Sequence, residues 1–156
     1  LNMDLSSILA PAAVKVVGSM SSKRRLFLDL GEIAASVLGL RPEESVDALL
    51  ERESLGPTGV GHGVALPHAR FSGLDQVAGA FVRLEQPLSF GSVDRQPVDL
   101  VFALFAPQDA GVEHLKALAL VSRTMRDPSI CAKLRANSDP TTLHAILTES
   151  PAVKAA

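Results

Sequence analysis

The chain has 156 residues, 47% hydrophobic and 21% charged, which is the size and balance of one compact domain able to bury a core. Its formal net charge of −2, with both signs mixed along the chain and neither Trp nor Tyr present, excludes a basic, base-stacking surface for nucleic acid. A single cysteine, Cys131, excludes an internal disulfide and a paired-cysteine zinc or redox motif, and is read as a sign of a reducing, cytoplasmic setting.

The opening LNMDLSSILAPAAVKVV lacks the basic stretch and long apolar segment of a secretory signal. The longest apolar run, Leu100 to Ala106, falls well short of the roughly 20 residues of a membrane span, so no membrane insertion is expected.

From a cap at Ser21 or Ser22, apolar residues at Leu26, Leu30, Ile33 and Val37 form one face of a helix that ends near Gly39. A second helix opens at Pro42, with Glu43 and Glu44 at the positive end of its dipole, buries Val46, Leu49 and Leu50, and stops at Gly56. GPTGVGHG, residues 56–63, holds four glycines in eight positions and is read as a loop. Val64–Leu66 then forms a brief strand that Pro67 terminates, because proline cannot donate to the ladder.

Val77–Leu84 and Val98–Phe105 are stronger strands, and the second is apolar on both faces, as a central strand should be. PQDAG, residues 107–111, is a turn into a helix whose packed side is marked by Leu115, Leu118, Ala119 and Ser122. Pro128 starts a short helix, and a last one runs from about Thr141 to Thr148. Strands and helices therefore alternate. The expectation is an α/β, or closely interleaved α+β, single domain: a mixed β-sheet flanked by helices on both faces, over residues 1–150, with 151–156 as a flexible tail.

The segment RESLGPTGVGHGVALPHAR, residues 52–70, is the most unusual. A glycine-rich loop leads through a short strand to His68, which Pro67 holds on stiff backbone. Backbone N–H groups around Gly59, Gly61, His62 and Gly63 are candidates for a nest that favours an anion. Gly56 to Gly61 is followed by His62 rather than by the Lys and hydroxyl residue of a nucleotide loop, and it follows a helix rather than a strand, so neither ATP nor a dinucleotide is expected. Four imidazoles, His62, His68, His114 and His144, leave a metal site open in principle, but no H-E-x-x-H is present; a serine hydrolase lacks its G-x-S-x-G elbow.

GPTGVGHGVALPHAR, preceded by Arg52-Glu53 and followed by EHLKALA at residues 113–119, resembles the enzyme IIA domain of the bacterial phosphotransferase system. The type is the mannitol, fructose and nitrogen-regulatory one, and the opening MDLSSIL with SSKRRLF most resembles the nitrogen-regulatory branch. The resemblance implies that His68 is phosphorylated on Nε2 by the phosphohistidine of an HPr-like donor. It implies that Arg52 helps hold the phosphoryl group and that His114 is the second active-site histidine. His62 stands where many members have asparagine, and Pro57 where serine is frequent. No cofactor is implied. Implied partners are the donor, and then either regulatory target proteins or a IIB domain that passes phosphoryl on to a sugar.

Phosphoryl exchange between two imidazoles is nearly isoenergetic, so such a protein need only align the groups and neutralise charge. Arg52 offers a permanent fork of donors, and His114, if it lies in the first turn of its helix, sits where an anion is favoured. Glu113 should then point away. His144 is read as packed or solvent-facing. An apolar ring of Val60, Val64, Leu66, Val112 and Leu115 is expected at the approach to His68, where a docking donor excludes water.

Overall fold

The computed structural model describes residues 3–149; the expected tail at 151–156 lies outside them. Its elements run β1 (Val14–Val17), α1 (Lys23–Leu38), α2 (Pro42–Ser54), β2 (Gly59–Gly61), β3 (Val64–Ala65), β4 (His68–Phe71), β5 (Ala78–Leu88), β6 (Val98–Pro107), α3 (Val112–Met125), α4 (Pro128–Arg135) and α5 (Pro140–Thr148). Short 3-10 turns at Leu5–Ser7 and Pro11–Ala13 precede them. The sheet order is β1-β5-β6-β3-β2, with β4 also on β6. β5 and β6 are antiparallel, whereas β1 joins β5, and β3 and β4 join β6, in parallel, so the sheet is mixed.

The apolar run of β6 is buried on both faces, as expected of the central strand. One helical layer is α1 and α2, which pack on each other and on β5 and β4; the other is α3, α4 and α5, which reach β6 and β1. Ser22 caps α1 by accepting the Arg25 N–H at 3.1 Å, and Gly39 closes it in the left-handed conformation. Inside the first layer, Lys23 Nζ lies 4.6 Å from the centre of the Phe90 ring and 2.7 Å from the buried carboxylate of Glu53.

Three expectations change. The glycine segment is a hairpin rather than a loop: β2 pairs antiparallel with β3, and the turn between them is His62–Gly63. Glycine is used there for close approach, since a Cβ on Gly59 would lie 2.1 Å from Ser92 Oγ and one on Gly63 would lie 2.5 Å from Arg135 Nη2. Pro67 interrupts its strand without ending it. Its carbonyl still accepts the Leu104 N–H at 2.9 Å, and β4 resumes on the same edge of β6 with His68 opposite Leu104.

The third change concerns α3, whose buried side carries His114, Ala117, Val121, Thr124 and Met125, not the stripe through Leu115. Two apolar stripes overlap in this helix. Its closeness to β6 favours the one with the small Ala117, and Leu115 is left 66% exposed. His144 is packed: its Nε2–H donates to the Leu9 carbonyl at 2.9 Å and ties α5 to the N-terminal turn.

Candidate functional site

His68 is the first residue of β4, and the rigidity inferred from Pro67 has a specific result. The His68 Nδ1 lies 2.9 Å from the carbonyl oxygen of Leu66. A carbonyl can only accept, so Nδ1 carries the proton, and in the neutral ring the lone pair is on Nε2. The imidazole is half-buried, neither sealed in the core nor free in solvent.

His114 is the third residue of α3, inside its first turn, and is 7% exposed. Its ring centre lies 5.7 Å from that of His68 with the planes at 69°. Burial, followed by the nearby charges of His68 and Arg70, holds the His114 pKa below the usual histidine value. The ring is therefore neutral at neutral pH. Its Nε2 is buried and has no hydrogen-bond partner.

Arg52 comes from the last turn of α2, where Nη1 donates to the Gly56 carbonyl at 2.9 Å. That bond closes the helix end and holds the guanidinium at the same opening. Glu53, next along the helix, faces inward: its carboxylate takes Lys23 Nζ at 2.7 Å, Thr58 Oγ1 at 2.6 Å and the Thr58 N–H at 3.1 Å. The turn leaving α2 is thereby fixed from both sides, and Arg52 with it.

These side chains share a cleft of about 310 Å³ lined by Ala48, Glu51, Arg52, Leu55, His68, Arg70 and His114. Arg70 is the residue that sequence reasoning missed. It lies two positions beyond His68 on β4, so the two side chains leave the same face of the strand, and among the described residues its guanidinium makes one hydrogen bond, a long 3.5 Å contact to the Gln108 carbonyl. The signal was present in PHAR, had β4 been recognised as a strand.

The expected ring of apolar residues is partly rearranged. Val64 and Leu66 are in the core, whereas Val60, Val112 and Leu115 are exposed, and Leu55, 82% exposed, joins the cleft from the end of α2. Glu113 does turn aside. It lies 4.0 Å from Lys116 and lines a different cavity, with Met3, Ser7 and Asp75.

Gly59, Gly61, His62 and Gly63 do not line the His68 cleft. The anion at their turn is the chain's own: Asp94 accepts the His62 N–H at 2.9 Å, and that bond heads the causes that hold the Asp94 carboxyl below the usual range. Arg135 secures the other side, reaching Asp99 through two bonds of 2.9 Å and the His62 carbonyl at 2.8 Å. Among the described residues no three His, Cys, Asp or Glu side chains gather in a way that could hold a metal ion.

The cleft can therefore present one imidazole lone pair beside a neutral second imidazole, two permanent cations and the exposed carboxylate of Glu51. The lone pair and the two cations are groups of the kind that suit a dianion. Residues 7–150 match the family model described as "Phosphoenolpyruvate-dependent sugar phosphotransferase system, EIIA 2". The chain is 42% identical to a nitrogen regulatory protein of Bradyrhizobium diazoefficiens, over 98% of this chain and all of the relative. It is 38% identical to one from Escherichia coli, over 95% of this chain and 91% of the relative. The crystal structure of nitrogen regulatory protein IIA-Ntr from Neisseria meningitidis superposes with a TM-score of 0.85 at 36% identity, covering 91% of this chain and 97% of that one.

Proposed function

The chain belongs to the EIIA 2 family of the phosphoenolpyruvate-dependent sugar phosphotransferase system, and from that premise we propose that it carries a phosphoryl group on His68 Nε2. The donor is the phosphohistidine of an HPr-like protein. The observation that carries the reading is the bond from His68 Nδ1 to the Leu66 carbonyl, which leaves Nε2 as the nucleophile.

The Nε2 lone pair forms the new N–P bond as the donor's N–P bond breaks, and that electron pair returns to the donor's ring nitrogen. His68 keeps its Nδ1 proton throughout, so the Leu66 carbonyl stabilises the positive charge that grows on the ring as phosphoryl arrives. The proton also keeps phospho-His68 a good leaving group for onward transfer. Arg52 and Arg70 neutralise the phosphoryl oxygens, and His114, buried and neutral, donates a hydrogen bond to them without competing as a charge. Exposed Leu55, Val112 and Leu115 give the donor an apolar surface to cover. Exchange with such a donor places the protein in the cytoplasm.

The nitrogen-regulatory names of the relatives favour a regulatory output, in which the phosphorylation state of His68 alters binding to other proteins. The family description keeps a second reading, transfer from His68 to a IIB domain of a sugar system. Incubating the full chain, in chelator, with a phosphorylated HPr-like donor freed of magnesium tests the shared step. A mass gain of one phosphoryl group is expected, and none forming under conditions that label a known IIA protein contradicts the proposal. Rapid passage of that label to a IIB domain selects the sugar role; partner proteins retained by only one phosphorylation state select the regulatory one.

A further inference from the structure

A second cavity, of about 600 Å³, lies between the β2–β3 hairpin, the end of α3 and α4, and shares no lining residue with the His68 cleft. Its size is that of a small-molecule pocket, for which about 300–1,000 Å³ is usual. Met125, Pro128, Cys131 and Ala132 give it an apolar wall, and Val60 lines it from β2.

Two arginines, Arg126 and Arg135, line the cavity and no Asp or Glu does. The nearby carboxylates of Asp99 and Asp127 stand outside the lining, close enough to Cys131 to help burial raise its pKa. Arg135 is spent on Asp99 and the His62 carbonyl. Arg126 is exposed and, among the described residues, in no ion pair or side-chain hydrogen bond. The thiol of Cys131 adds no negative charge, because burial pushes its pKa up and Sγ donates to the Met125 carbonyl at 3.1 Å.

An apolar wall and an unspent guanidinium lining one cavity select its ligand by chemistry. We propose that this cavity binds a small organic anion with an apolar body, a short-chain carboxylate in its simplest form, with the carboxylate on Arg126 and the chain against Met125, Pro128 and Ala132. Such a site stands apart from the proposed phosphoryl chemistry and does not depend on it. It does touch the same framework, since Arg135 and His62, which line it, fix the turn that feeds β3 and then the Leu66 carbonyl behind His68.

The test is a titration of the full-length protein with hexanoate, followed by backbone amide chemical shifts, with hexylamine as the charge-reversed control. Hexanoate should saturate at one site, with shifts concentrated at residues 60–62 and 125–135. Arg126→Gln, a change at an exposed position, should weaken hexanoate by about tenfold or more, as loss of a charge-assisted hydrogen bond requires. No saturable binding overturns the site. Equal binding of hexylamine, or unchanged affinity in Arg126→Gln, overturns the assigned ligand class, and shifts confined to the His68 cleft place the anion there instead.

Discussion

The imidazoles of His68 and His114 meet edge to face, 5.7 Å between centres, yet only His68 has a ring nitrogen tied to a backbone carbonyl. The pair is unequal by construction. His68 has a set tautomer and an open approach, whereas His114 is buried with Nε2 unpartnered. One is suited to be the nucleophile and the other to stabilise what the nucleophile receives.

The depressed pKa of His114 has a consequence for stability. Its neutral form is favoured in the fold, so the unfolded chain takes up a proton first as the pH falls. Stability is fully present above the unfolded histidine value of about 6.5 and is lost as the pH falls through the lower folded value. Urea midpoints for wild type should decline over that window more steeply than those of His114→Gln. Parallel profiles would show that His114 is not the group responsible.

Arg70 should act on transfer rather than on folding, so Arg70→Gln should keep the wild-type urea midpoint within a small margin. Arg52 serves both, because Nη1 also closes the end of α2 on the Gly56 carbonyl, and Arg52→Gln should lose about 1 kcal/mol of stability beside its effect on transfer. Single-turnover labelling should slow by about tenfold to a hundredfold in each, the loss of one charge-assisted contact to the phosphoryl group. A normal rate in Arg70→Gln removes that residue from the machinery.

Glu53 should matter to the scaffold. Its carboxylate receives Lys23 and Thr58 in a side chain that is 7% exposed, and Glu53→Ala leaves the Thr58 groups and the Lys23 charge without their partner. A loss of about 3 kcal/mol in chemical denaturation is expected. A change within experimental error would mean that the turn leaving α2 is held by something else.

Two glycines with similar backbone separate conformation from crowding. Gly39, at φ 72°, has open space where a Cβ would sit, while Gly63, at φ 77°, has Arg135 Nη2 at 2.5 Å and Asp99 Oδ1 at 2.9 Å. Gly39→Ala should cost about 1 kcal/mol, the conformational penalty alone. Gly63→Ala should cost clearly more in the same denaturation experiment, because a bidentate ion pair must also shift. Equal losses would mean that the pair moves aside freely.

Much of this architecture is legible in the amino-acid sequence. The helix from Lys23 announces both ends, through Ser21 or Ser22, of which Ser22 is the cap, and through Gly39, and the continuous apolar run at Leu100–Ala106 declares a central strand. His68, His114 and Arg52 stood out through the family block and do share one cleft. What escaped notice depends on partners distant in sequence. Glycines 59, 61 and 63 read as a loop because the groups they make room for, Ser92, Asp94 and Arg135, are contributed by later segments. β4 was hidden by Pro67, whose missing N–H says nothing about the carbonyl that Leu104 uses. Arg70 was lost with that strand, and the packed side of α3 was settled by closeness to β6 rather than by its two competing apolar stripes.

The central claim is that His68 alone accepts the phosphoryl group, with His114 as its helper. The direct measurement is the mass of intact wild type, His68→Ala and His114→Ala after incubation with phosphorylated HPr-like donor, with the acid-labile label located in wild type by peptide. Wild type should gain one phosphoryl group on His68, and His114→Ala should gain it at an altered rate or lifetime. His68→Ala should gain none. Normal labelling of His68→Ala, with or without loss in His114→Ala, would contradict the account.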